Sequence, residues 1–183
     1  MRVLEHRRHS VRDAAEDALS PVGRALARRV GATIGPFDRV VTSPKGRAVE
    51  TALALAGHIE ARRAELGRLP DEALARVEAA SPHSFGEYVR LARASPIVGE
   101  VARRQAALWV EELERVPDGG RLLLISHAGV IELGTAGAVP GPAEAFGAPL
   151  LPLEGVRVTW ERGRWTRAEV VRVSAETTGP VRR

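Results

Sequence analysis

A chain of 183 residues with 44% hydrophobic and 27% charged residues has the composition of a globular protein and the length of one domain, 1–183, which excludes a fully disordered chain. Without cysteine there are no disulfides, zinc ribbons, iron–sulfur clusters or thiol nucleophiles, and no apolar run reaches the ~20 residues of a membrane helix. Net charge is +4, and Lys45 is the one lysine among 27 basic residues, so the positive charge is almost wholly guanidinium, a planar fork of donors suited to phosphates and carboxylates. The arginines are spread among glutamates, as in Glu60-Ala61-Arg62-Arg63-Ala64-Glu65, which reads as solvated helix faces rather than one basic stripe. The charged start, Met1 to Ser10, lacks the apolar stretch of a signal peptide, so the expected location is cytoplasmic.

In chain order, Val3 to Arg7 is a first strand, ending at Arg8-His9-Ser10. Ser20 as cap, Pro21 at the first helical position and Gly35 beyond the end predict a helix, with Val22, Leu26, Val30 and Ile34 toward the core. Phe37 to Thr42 reads as a buried strand. Ser43-Pro44 opens a second helix whose apolar face is Ala48, Ala52, Leu55 and Ile59. Leu66 to Ser81 is less regular, broken by Gly67, Pro70 and Pro82. Phe85 to Ala94 and Ile97 to Val116 are helices, the second carrying Trp109 as a core residue. After the turn Pro117-Asp118-Gly119-Gly120, the run Leu122-Leu123-Leu124-Ile125 is a strand buried on both faces, as in parallel sheets. Gly134 to Pro152 is read as a loop with short helical pieces, and burial is expected for its Pro149–Leu153 end. Val156 to Trp160 and Trp165 to Val173 form a hairpin about Arg162-Gly163, with the two tryptophans packed across it. The tail 174–183 is expected to fray. Strands alternating with helices give an α/β class: a three-layer sandwich with a mostly parallel central sheet.

Three segments stand just past predicted strands, where open α/β sheets bind ligands: Arg8-His9-Ser10-Val11-Arg12, Ser43-Pro44-Lys45-Gly46-Arg47-Ala48 and Ser126-His127-Ala128-Gly129. Two histidines, three arginines and a helix start make a cradle for a dianion. Each segment alone is weak, since a histidine beside an arginine is usually a polar pair. Their conjunction, in this order, is specific. His6, His58 and His83 have no such context and read as structural or surface residues.

The set resembles the histidine phosphatase superfamily, the phosphoglycerate-mutase-like proteins. That family carries Arg-His-Gly after its first strand, Ser-Pro-x-x-Arg-Ala-x-x-Thr-Ala after a later one, and Ser-His-Gly-Gly or a variant further on. The counterparts are Arg8-His9-Ser10, Ser43 to Ala52 and Ser126 to Gly129, and Leu19-Ser20-Pro21-Val22-Gly23 resembles the family's Leu-Thr-x-x-Gly helix start. Ser10 and Ala128 stand where the family usually has glycine, both small. The resemblance implies His9 as a nucleophile that forms a phosphohistidine, with Arg8, Arg47 and Arg12 on the phosphate oxygens, His127 as a further donor if protonated, and no metal or cofactor. The family's acid, often a glutamate between the second and third segments, has no clear match; Glu72 is the expected donor, with Asp71 and Glu78 as alternatives.

Chemistry allows the same reading: a neutral imidazole can attack phosphorus, and phosphoryl transfer needs mainly positioning and charge neutralisation. The expected substrate is a phosphorylated small molecule or a phosphoprotein, phosphohistidine included. Competing readings are mutase transfer on a phosphoglycerate, for which the chain leaves little room for a lid, a non-catalytic binder of phosphorylated ligands, and an arginine-rich nucleic-acid-binding protein. The last has few stacking platforms, with 4% aromatic residues.

Overall fold

The computed structural model describes residues 1–173, so the expected fraying of 174–183 lies outside the described residues. Six strands form one sheet: β1 (Arg2–Arg8), β2 (Arg39–Thr42), β3 (Ala61–Arg62), β4 (Arg121–Ser126), β5 (Gly155–Glu161) and β6 (Arg164–Val171), in the order β3-β2-β4-β1-β5-β6. β3, β2, β4 and β1 run parallel, and β5 and β6 are antiparallel at the β1 edge.

One face carries α1 (Pro21–Ile34) and α2 (Gly46–Ala56). The other carries α3 (Asp71–Ala80), α4 (Phe85–Ala94), α5 (Pro96–Glu114) and α6 (Val130–Ala138), with the short α7 (Pro140–Ala143) after it. β4 shows how one strand serves both layers. Leu122 and Leu124 join the larger cluster with Trp109, while Leu123 and Ile125 join Leu26, Val30, Ala48 and Ala52. All four β4 residues are fully buried, so the uninterrupted apolar run reports a strand covered on both sides.

Helix starts follow local chemistry. Ser20 caps α1 by accepting from the Gly23 N–H at 3.0 Å, ahead of Pro21. The buried stripe of α1 is Gly23, Leu26, Ala27 and Val30; Val22, expected inside, is 59% exposed. Spacing of four alone drifts around a helix of 3.6 residues per turn, and the stripe starts one residue later. α2 begins at Gly46 rather than at Ser43-Pro44, and Ile59 lies beyond its end.

Two stretches are more regular than their sequence suggested. Leu66–Ser81 contains α3, started after Pro70 and pinned by buried Ala73 and Val77. α6 runs to Ala138, through Gly134 and Gly137. A Cβ on Gly134 would stand 2.6 Å from the Trp109 ring, and one on Gly137 2.1 Å from the Ala102 carbonyl. These glycines let α6 lie against α5; they do not end it.

At the antiparallel edge, Trp160 and Trp165 pack with centroids 4.5 Å apart, and Trp165 meets Trp109 edge-on at 6.1 Å. Leu150 and Leu153 are buried as expected, but Leu151 between them is 64% exposed. No helix among the described residues is long and apolar enough to cross a membrane.

Candidate active site

β1 and β4 are parallel neighbours, with Arg8 opposite Ser126, so their C-terminal ends bring His9 and His127 to one place. The imidazole centroids lie 5.1 Å apart. Arg47, in the first turn of α2, sits between them: its Nε donates to His9 Nε2 at 3.2 Å, and its Nη2 lies 3.2 Å from His127 Nδ1. Arg8, Arg12 and Ser10 complete the polar lining of an open cavity of about 480 Å³, with Val11, Ala128 and Pro152 as its apolar part. Arg8, His9, Arg12, Arg47 and His127 are thus brought together.

Each imidazole has a determined tautomer. His9 Nδ1 lies 2.7 Å from the Ser10 carbonyl, which can only accept, so Nδ1 carries the proton and Nε2 keeps its lone pair toward Arg47. For His127 the guanidinium can only donate, so Nδ1 accepts and Nε2–H donates to Ser43 Oγ at 2.9 Å. Ser43 is therefore a fully buried support for His127 rather than a helix cap.

Both rings are held neutral. Burial pushes the His9 pKa down to about 4, with Arg47, Arg8 and Arg12 acting in the same direction against the Ser10 carbonyl. Burial, then the Arg47 charge and His9, push His127 down to about 3. The free protein thus does not protonate His127 near neutrality, so the condition attached to its expected role as a further donor is not met before a ligand enters.

The motif residues are fastened to one another. Ser10 Oγ donates to the Gly23 carbonyl at 2.8 Å, and its N–H donates to Thr51 Oγ1 at 3.0 Å. Thr51 in turn donates to the Arg47 carbonyl at 2.7 Å. So Ser10, in place of glycine, ties β1's end to both helices on that face. Arg8 Nη1 donates to the Leu150 carbonyl at 2.6 Å, while its buried Nε has no hydrogen-bond partner among the described residues.

Glu72 is exposed in the first turn of α3 and does not line the cavity. Asp71 is exposed and paired with Arg68 at 3.1 Å, and Glu78 is exposed further along α3. The expected acid is thus not brought to the cavity of His9 and His127. α3 packs on α5 by Ala73 and Val77, which turns its carboxylates outward.

Two other carboxylates, which sequence reasoning missed, do serve the site. Asp17 pairs with Arg47 and accepts from the Gly46 N–H at 3.0 Å. Slight burial acts to raise the Asp17 pKa, but the Gly46 N–H and Arg47 outweigh it and hold it below its ordinary value. Glu132 is fully buried and accepts from Gly129 N–H at 2.6 Å and Leu150 N–H at 3.3 Å. It joins the loop of His127 to the segment that holds Arg8, and burial raises its pKa. The available signals were Asp17 four residues before the α1 start, and Glu132 three after Gly129 in a capping-box spacing. His6 is buried beneath the site, 2.5 Å from Ser126 Oγ and edge-on to Trp109. His58 and His83 are exposed.

The family model of the histidine phosphatase superfamily (branch 1) matches residues 4–172. No curated protein sequence matches the chain. Among solved structures, a phosphoserine phosphatase from Entamoeba histolytica in complex with 3-phosphoglyceric acid superposes with a TM-score of 0.70 at 18% identity, covering 94% of this chain and 98% of that one. A mycobacterial glucosyl-3-phosphoglycerate phosphatase gives 0.68 at 24% identity, covering 96% and 100%. A phosphoglycerate mutase from Bacillus anthracis gives 0.64 at 18% identity, covering 92% of each chain. At these identities the likeness is one of fold.

Proposed function

The chain belongs to the histidine phosphatase superfamily (branch 1), and from that premise we propose that it is a phosphatase that hydrolyses a phosphomonoester, or a phosphohistidine, through a covalent intermediate on His9. The observation that carries the reading is a single guanidinium, Arg47, hydrogen-bonded to the unprotonated nitrogens of two imidazoles.

In the free protein the Arg47 Nε–H occupies the His9 Nε2 lone pair. A phosphate dianion entering between Arg8, Arg12 and Arg47 offers better acceptors, so the guanidinium turns its donors to the equatorial oxygens and the lone pair is released. His9 Nε2 then attacks phosphorus. An N–P bond forms, the P–O bond to the organic group breaks, and the departing oxygen keeps the electron pair and takes a proton from water. In the second half a water attacks phosphorus, the N–P bond breaks, and inorganic phosphate leaves with His9 neutral again. His127 supports the cycle by gaining a proton at Nδ1 once the dianion has moved Arg47 away from it.

Charge neutralisation by guanidinium groups makes the expected activity independent of added metal. Among the described residues, the cavity lining contains no carboxylate. Leaving groups that need little protonation are therefore expected to react fastest, phosphoramidates and aryl esters ahead of alkyl esters. Exposed Glu72 gives a direct check. Glu72→Gln is expected to leave aryl and alkyl esters equally unaffected, and a selective loss on alkyl esters would restore it as the acid.

The test is to trap the intermediate. Brief reaction with a labelled aryl phosphate in the presence of chelator, quenched in base, should leave label on the protein. The label should be acid-labile and missing from His9→Ala. Release of inorganic phosphate separates hydrolysis from mutase transfer, which would return an isomeric ester instead. Turnover by His9→Ala at the parent rate would overturn the reading, as would a strict need for a divalent ion.

A further inference from the structure

Beside the phosphate cavity lies a second one, of about 280 Å³, with a different character. Its wall is Val11, Val22, Leu26, Leu151 and Pro152, and the charged residues along it are Arg29 and Glu154. Glu154 is buried and engaged, accepting from the Leu151 N–H at 2.9 Å and pairing with Arg172 at 2.6 Å. Val11 and Pro152 line both cavities, so the two lie side by side.

Among the described residues, three of the five exposed large apolar side chains, Val11, Val22 and Leu151, gather here. Such side chains scattered singly would mean nothing; converging at the mouth of an anion site they form an apolar wall that a ligand can cover. Val22 is also the residue that the helix pattern would have buried. The cavity contributes nothing to the cradle of arginines and imidazoles.

We infer that this groove receives the organic half of the substrate, which makes the substrate a phosphomonoester of an apolar alcohol or phenol. The inference rests on the phosphatase reading for the chemistry, but the groove itself is testable without it. The occupant follows from that adjacency: a ligand anchored by its phosphate at His9 and Arg47 has only Val11 and Pro152 to pass before it meets the groove. A polar sugar or a glycerate would lose hydration against this wall and regain few hydrogen bonds. The volume matches one or two rings or a short chain, smaller than a typical drug-sized site.

The experiment measures binding and turnover separately. Methylphosphonate and hexylphosphonate carry the same anionic head and cannot be hydrolysed. Each fully buried methylene is worth about threefold to fourfold in affinity, so an open groove should favour hexylphosphonate by about tenfold or more. Val22→Asp and Leu151→Asp lie at surface positions of the groove alone. They should reduce that preference to about twofold or less while methylphosphonate affinity and the melting temperature stay at parent values. In turnover, 2-naphthyl phosphate should exceed phenyl phosphate in kcat/KM by about tenfold, since the two leave with similar ease and differ in apolar area.

Equal or absent binding of the two phosphonates overturns the groove, whatever the enzyme hydrolyses. So does a preference that survives both aspartates. A hexylphosphonate preference in a protein that hydrolyses no ester sinks the phosphatase reading and leaves the groove standing. Self-association lost in Leu151→Asp would assign the wall to a second copy instead.

Discussion

His9 and His127 are prepared by what touches their outer nitrogens. The Ser10 carbonyl sets the tautomer of His9 and the Arg47 guanidinium that of His127, whose Nε2–H then goes to Ser43 Oγ, so both inward nitrogens present lone pairs to Arg47. NMR of the imidazole nitrogens should show Nδ1–H for His9 and Nε2–H for His127, with both rings neutral at pH 6. His9 should protonate only as pH falls through about 4 and His127 through about 3. An imidazolium at pH 6 in either ring would contradict the geometry. Asp17 belongs to this scale too, because it holds the Arg47 fork from the solvent side. Asp17→Ala should weaken phosphate binding by about tenfold or more, the loss of one charge-assisted hydrogen bond, with little change in melting temperature because the residue is exposed. Isothermal titration with inorganic phosphate reads that directly. The three arginines and two histidines were legible because each follows a strand in a recognisable order. Asp17 was not, since a loop acid among Asp13, Glu16 and Asp17 carries no periodicity, and only the folded loop shows which one reaches Arg47.

At the scale of elements, the site depends on close approaches between helices and loops. A Cβ at Gly46 would stand 2.0 Å from the Asp17 carbonyl, so this start of α2 accepts only glycine without displacing the loop that carries Asp17. Gly46→Ala should lower phosphate affinity by about tenfold, as Asp17→Ala does, and the double variant should be no worse than either, because both act through one contact. Fully additive losses in titration would separate the two roles. α6 is held to α5 in the same way, by Gly134 and Gly137. Here composition misled in part: Gly134 to Pro152 reads as a loop with short helical pieces, and α7 is such a piece, but Gly134 and Gly137 belong to α6, where the missing side chains serve a helix–helix contact that single-sequence patterns do not encode. The strands and the hairpin, by contrast, were legible because burial on two faces and turn glycines leave a local trace.

Across the whole molecule, three buried histidines stay neutral in the fold. His6, pushed to about 3 by burial and then by His127, joins His9 and His127. Unfolded, each would bind a proton below the ordinary value of about 6.5. The unfolded chain therefore holds more protons between about 6.5 and 4, and stability rises with pH through that window. The melting temperature should be level above pH 7 and fall steadily from about 6.5 to 4; replacing His6 by Gln should flatten part of the fall. A second long-range device is Glu5, fully buried, which pairs with Arg7 at 2.8 Å, Arg121 at 2.8 Å and Arg157 at 2.9 Å. Glu5→Ala would strand the buried Arg7 charge and should cost about 3–5 kcal/mol in denaturant unfolding. Neither device was visible in the sequence, because their partners come from β1, β4 and β5, far apart along the chain.

The bond between His9 Nδ1 and the Ser10 carbonyl also fixes regiochemistry. On the proposed mechanism one ring nitrogen is spent on the backbone, which leaves the other to carry the phosphoryl group. The trapped adduct should therefore be a single positional isomer, substituted at Nε2, and an antibody selective for that isomer should recognise the phosphorylated chain while its counterpart against the Nδ1 isomer stays silent. The position of substitution in the intermediate is thus written by a main-chain oxygen, which no side-chain substitution at position 10 would erase so long as the loop keeps its path.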